Sequence, residues 1–189
     1  MTAITNTTRN GIDVAQVYGT LDAIAADPSL ARFEFRVSNR WITGTHSRST
    51  IQGFHGAGQE DASREQPFVV DASEPPVLLG HNEAPNPAEL LMHALAGCLT
   101  LTIVNVAAAR KVTLTEVSST LEGVLDARGA TGVDPSYRNG FERIRVSFSI
   151  KGDAPREKLE EIVERAKARS VVYDIVSNPV PVDVVAEIG

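Results

Sequence analysis

One cysteine, Cys98, and four histidines, His46, His55, His81 and His93, are the residues of this chain with the widest chemical reach. Their spacing excludes more than it offers. No two histidines stand at HxH or HExxH spacing and there is no paired cysteine, so the sequence predicts no metal site. No GxSxG elbow, GxGxxG turn or Walker loop occurs, Gly56-Ala57-Gly58 is too short to cradle a phosphate, and no cofactor is expected. What remains is a thiol.

A free cysteine has two readings. It is often a small buried hydrophobe, and it becomes a nucleophile when a cation, a helix N-terminus or a metal favours the thiolate and the sulfur is accessible. Gly97, immediately before Cys98, gives a small molecule or another backbone room to approach. Cys98 lies within Asn86–Arg110, NPAELLMHALAGCLTLTIVNVAAAR. Each helical residue turns the chain by about 100°, so His93 points about 140° away from Cys98 and Glu89 sits on the opposite face. Neither is its partner along the helix, and His93 reads as a hydrogen-bonded core or interface histidine.

The element that positions the thiol is well marked. Asn86 is a good N-cap, Pro87 falls in the first turn, and Glu89 completes a capping box. Arg110 and Lys111 suit the negative end of the helix dipole, and strand-forming residues follow. The 20 residues Leu90–Ala109 carry no formal charge, long enough to cross a bilayer. His93, Thr100, Thr102 and Asn105 interrupt the apolar surface, and the mean hydropathy of −0.08 is that of a soluble protein. The expectation is a buried central helix rather than a membrane span.

Around it, the pattern predicts a helix from Asp13 to Asp27-Pro28 and a half-buried strand through Phe33, Phe35 and Val37. A second strand is expected over Trp41–Ile51, a surface loop over Gly53–Pro67, a short strand over Phe68–Asp71, and irregular chain from there to Pro87. Beyond the central helix come a strand through Val117–Leu125, a polar loop over Asp126–Gly140, and a cleanly alternating strand over Ile144–Ile150. Asp153 is the expected N-cap of an amphipathic helix with Leu159, Ile162, Val163 and Ala166 on one face, and Val180–Ile188 reads as a last strand. The order is α+β. The expected organisation is an N-terminal extension over residues 1–32 and one domain over 33–189.

The 189 residues include 42% hydrophobic and 22% charged, with a formal net charge of −6. A pI near 5.2 and the lack of a basic patch argue against nucleic acid as a partner. A lone cysteine forms no internal disulfide, and the N-terminus lacks a signal-peptide pattern, so the expected location is the cytoplasm.

Three segments together resemble one family. Asn86-Pro87 followed by Ala94-Leu95-Ala96-Gly97-Cys98-Leu99-Thr100 is similar to the helix bearing the first cysteine of the OsmC/Ohr family, the osmotically inducible and organic-hydroperoxide-resistance proteins. Gly140-Phe141-Glu142-Arg143-Ile144 resembles that family's Gly-Phe-x-x-Ile strand entry. Ser170-Val171-Val172 lies where the family has Cys-Pro-Val. The resemblance implies an OsmC-like fold, with curved antiparallel sheets around a buried central helix, in an intertwined homodimer with its thiol sites at the interface. It also implies a cycle in which a peroxide oxidises the first cysteine to a sulfenic acid, a second cysteine closes a disulfide, and a dithiol reduces it. An arginine and a glutamate hold the thiolate.

This chain departs from that pattern at two positions. Ser170 replaces the resolving cysteine, and Ala88 stands where the glutamate would be, leaving Glu89 one residue out of step. The arginine is expected from the early strands, Arg48 first, then Arg40 and Arg36. The resemblance therefore leaves open a one-cysteine thiol peroxidase acting on organic hydroperoxides with an external dithiol, with Cys98, Arg48, Glu89 and Ser170 as its site residues. It also leaves open a dimer that binds an apolar small molecule or senses redox state, and a purely structural or stress-linked protein.

Overall fold

The computed structural model describes residues 8–189, so the polar start of the expected extension lies outside the described residues. The chain divides into two compact units, one ending at Leu91 and the other beginning at Met92.

The first unit opens with a tight hairpin, β1 (Thr8–Arg9) and β2 (Ile12–Asp13), turned by Asn10 and Gly11, both at positive φ. Asn-Gly is the pair that such a turn favours. Helix α1 (Val14–Ala26) runs as expected, with the Asp13 carboxylate accepting from the backbone N–H groups of Ala15 and Gln16 at 3.0 and 3.2 Å. A 3₁₀ turn follows at Pro28–Ala31.

Six short strands complete this unit: β3 (Glu34–Phe35), β4 (Ser38–Thr43), β5 (His46–Ile51), β6 (Phe54–Gly56), β7 (Gln59–Asp61) and β8 (Phe68–Ala72). They form two antiparallel three-stranded sheets in the orders β4-β5-β8 and β3-β6-β7. Two expectations fail here for one reason, turns built on left-handed residues. The strand expected over Trp41–Ile51 folds back at Gly44 (φ 52°) into the β4–β5 hairpin. The loop expected over Gly53–Pro67 contains the β6–β7 hairpin, turned by Ala57 and Gly58 at φ 50° and 80°. Phe33, Phe35 and Val37 are exposed rather than half-buried, and Phe33, Phe35 and Phe54 instead stack on one another with centroids 5.4 to 6.5 Å apart.

Helix α2 (Pro87–Ala109) carries Cys98. Its start is the capping box read from the sequence: Asn86 Oδ1 accepts from Ala88 N at 2.7 Å, and Glu89 Oε2 accepts from Asn86 N at 2.8 Å. It is long and apolar enough to cross a membrane, and Leu95, Leu99, Ile103, Val106, Ala107 and Ala108 are buried within the protein. The helix is not buried all round, because Leu91 and Leu101 remain exposed.

In the second unit α2 packs on a long antiparallel hairpin of β9 (Leu114–Val124) and β10 (Arg143–Gly152), with a short helix α3 (Ala127–Ala130) between them. Ile103, Val106, Ala107 and Val112 form one core with Ile162 and Ala166 of α4 (Arg156–Lys167), flanked by Phe148 and Ile150 of β10. Pro155, not Asp153, occupies the N-cap of α4; the Asp153 carboxylate instead accepts from Thr113 N at 2.7 Å, tying the start of β9 to the helix entry. Helix α5 (Val171–Ser177) follows with Ser170 as its N-cap. The strand expected over Val180–Ile188 is not formed: no described strand pairs with it, and Val182, Val184, Val185 and Ile188 are exposed. Alternating valines supply strand propensity but not the neighbouring ladder that a strand requires.

Candidate functional site

Cys98 sits in the middle of α2 and is half-buried. The residue beside it, Gly97, has open space where a Cβ would project. Thr102 Oγ1 donates to the Cys98 carbonyl at 2.7 Å, back-bonding within the helix and leaving the sulfur to other partners. That partner is Ser170, whose Oγ lies 3.2 Å from Cys98 Sγ. Ser170 is only 2% exposed and its Oγ also accepts from Tyr173 N at 3.3 Å, the cap that starts α5. Two residues 72 positions apart thus meet because α4 and α5 return the chain to α2.

A cavity of about 270 Å³ adjoins the same elements, lined by Leu99 and Ile103 of α2, Val146 and Phe148 of β10, Val163 of α4 and Tyr173 of α5. Val146, Phe148 and Val163 also line a larger cleft, about 860 Å³, that continues between β10 and α4 to Arg156 and Glu160. Five apolar side chains line that cleft beside the charged Arg156, Glu160 and Glu164, and Glu164 is paired with Lys167 Nζ at 2.8 Å. The smaller cavity, with mostly apolar walls, suits an apolar body better than a small polar one.

The other expected site residues have their own partners. In the first unit Arg48 of β5 grips Asp71 of β8 through two hydrogen bonds, Nε to Oδ1 at 2.7 Å and Nη2 to Oδ2 at 2.8 Å. His46 Nε2 reaches the same Oδ2 at 3.1 Å. The Arg48 hydrogen bonds, with that from His46, hold the Asp71 carboxyl far below the usual carboxylate range, and Asp71 in turn raises Arg48. Glu89 serves as the N3 half of the α2 capping box, and Ala88 contributes only its backbone N–H. Arg40 lies opposite Arg48 in the β4–β5 register, and Arg36 pairs with Glu60. His93 is exposed. Among the described residues no group of histidine, cysteine or carboxylate side chains is arranged to hold a metal.

The sequence pattern does not predict the grouping of Asp71 with His46 and Arg48. His46 and Arg48 do stand two apart on one strand and so share a face, which is a legible hint. Asp71 joins them only through the β5–β8 register, which pairs it with Arg48 across 23 positions of chain.

An antiparallel α+β chain that sets a lone thiol on a long apolar helix against a hydroxyl at the start of a later helix is a thiol protein without an internal disulfide partner. A family model for OsmC-like protein matches residues 80–185, more than half of the chain and including both Cys98 and Ser170, and the chain belongs to that family. Solved structures agree on the fold. The OsmC-like protein of Mycoplasma pneumoniae is 13% identical, the match covering 77% of this chain and 89% of that one, with a TM-score of 0.56. The organic hydroperoxide resistance protein OsmC of Legionella pneumophila is 21% identical, covering 75% and 88%, with a TM-score of 0.52. An OsmC-like protein of unknown function from Vibrio cholerae is 15% identical, covering 75% and 92%, with a TM-score of 0.51. No curated protein matches the chain.

Proposed function

We propose that this OsmC-like protein is a one-cysteine, thiol-dependent peroxidase for organic hydroperoxides. The observation that carries the reading is the 3.2 Å contact of Ser170 with Cys98: a hydroxyl occupies the place of a resolving thiol, so an oxidised Cys98 has no internal cysteine to receive it. In the first step the Cys98 thiolate attacks the terminal oxygen of ROOH, the O–O bond breaks, and Cys98–SOH and ROH form after the alkoxide takes a proton. An external thiol then condenses with the sulfenic acid, releasing water and leaving a mixed disulfide. A second thiol, or the other arm of a dithiol, displaces Cys98 and leaves as the oxidised reductant. Arg48 is the cation this reading assigns to the thiolate, on the strength of the family resemblance. The protein acts as a homodimer in the reducing, thiol-rich cytoplasm.

The test is organic-hydroperoxide consumption with a dithiol reductant, comparing wild type with Cys98→Ser and trapping sulfenic acid in the same samples. Turnover lost in Cys98→Ser supports the reading; absence of both turnover and trapped sulfenic acid in the wild type sinks it.

The apolar cavity beside Leu99 and Tyr173 favours a second reading, a protein that binds an apolar small molecule next to a redox-sensitive thiol without turning it over. Ligand-induced fluorescence change or thermal stabilisation in the Cys98→Ser protein, with no peroxide consumption by the wild type, would select it.

A further inference from the structure

The hydrogen bond between Ser170 and Cys98 depends on the charge of the sulfur. As N-cap of α5, the Ser170 oxygen accepts the Tyr173 N–H at 3.3 Å, which uses one lone pair and leaves one lone pair and the hydroxyl proton. Cys98 Sγ lies 3.2 Å from that oxygen. While the sulfur is a thiol, either group can donate to the other. A thiolate has no proton, so only the serine hydroxyl can donate, and a donor to an ion makes a bond roughly twice as strong as a neutral one. At 2% exposure the Ser170 hydroxyl has little competing water. Thr102, one helical turn along α2 from Cys98, spends its proton on the Cys98 carbonyl at 2.7 Å.

We propose that Ser170 is a positioning residue that stabilises the Cys98 thiolate by hydrogen bonding, so that the position of a resolving thiol has become that of a donor to the nucleophile. The inference rests on the reading of Cys98 as a thiolate nucleophile, but its consequences appear in thiol reactivity without any peroxide.

The experiment measures alkylation of Cys98 by iodoacetamide against pH in wild type, Ser170→Ala and Ser170→Thr. Each unit of increase in thiol pKa leaves about tenfold less thiolate on the acid limb but makes the thiolate about threefold more nucleophilic, so the net rate there falls about threefold per unit. Ser170→Ala is therefore expected to react severalfold more slowly than wild type at low pH and to reach a higher plateau at high pH. Ser170→Thr, which keeps the hydroxyl, follows the wild type. Simple loosening of the site would raise both limbs. An acid limb in Ser170→Ala that is unchanged or faster overturns the proposal. If Ser170→Ala fails to fold, reduced Ser170→Cys, nearly isosteric and a weaker donor, is read at Cys98 by peptide mass; a slowed acid limb is expected, and a wild-type limb overturns the proposal. A shifted profile without hydroperoxide turnover overturns the peroxidase reading alone, and turnover with an unshifted profile overturns the role of Ser170 alone.

Discussion

Ser170 Oγ stands 3.2 Å from Cys98 Sγ, the side chains of two residues brought together from α2 and the start of α5. Two side-chain tips already in contact need only a small rotamer adjustment to reach the roughly 2.05 Å of a disulfide once the oxygen becomes a sulfur. Ser170→Cys is expected to form an internal disulfide with Cys98 on treatment with one equivalent of hydroperoxide. Thiol titration under denaturing conditions checks it: two free thiols before oxidation, none after. One thiol lost with no internal bridge would contradict the geometry, and two thiols persisting would contradict the peroxidase reading instead.

The core of the second unit centres on Ile103, which is fully buried between Ile162 and Ala166 of α4 and the hairpin residues Phe148 and Ile150. Ile103→Ala removes three carbons and leaves a void that the hairpin cannot close, at a cost of about 2–5 kcal/mol. Urea unfolding should show the midpoint lowered with an unchanged slope.

At the start of α2, Asn86→Ala deletes the side-chain half of the capping box, the 2.7 Å bond from Ala88 N to Asn86 Oδ1. The expected loss is about 0.5–2 kcal/mol, and Asn86→Ser, which keeps a capping acceptor without setting a second carboxylate against Glu74, the acceptor of the Asn86 Nδ2–H, should recover part of it. Chemical denaturation of the three proteins side by side decides this.

Asp71 predicts an acid sensitivity. Because Arg48 and then His46 stabilise its carboxylate, its folded-state pKa lies below the unfolded value of about 3.9. The stability it contributes is fully present above that unfolded value and is lost as pH falls through the folded one. Asp71→Asn lacks this contribution, so its stability should fall less steeply than that of wild type below about pH 4. Denaturant midpoints across the acid range test the sign, and parallel curves would show that the Arg48–Asp71 pair contributes no linkage.

Much of the local structure was written in residue order. The cap of α1 at Asp13, the capping box of Asn86 and Glu89, and the alternation of β10 are interactions among near neighbours, so residue types at fixed offsets determine them. The three segments of resemblance likewise led to the family that the match over 80–185 shows. Where local pattern misled, a nonlocal or conformational term won. Gly44, Ala57 and Gly58 turned expected strand and loop into hairpins through left-handed backbone, and Val180–Ile188 had the propensity of a strand but no described neighbour to pair with.

The sequence by itself determined that the chain has a single thiol, that it lies on a long apolar helix, and that no second cysteine is available to it. Only the tertiary structure decided what faces that thiol and what holds the arginine. Cys98 meets Ser170 across 72 positions because helix packing in the second unit closes that distance, and Arg48 meets Asp71 because a strand register aligns them. Offsets along a chain encode contacts within a turn or a strand; contacts between elements depend on burying apolar faces together, and that free energy belongs to the assembled core rather than to any short stretch of residues.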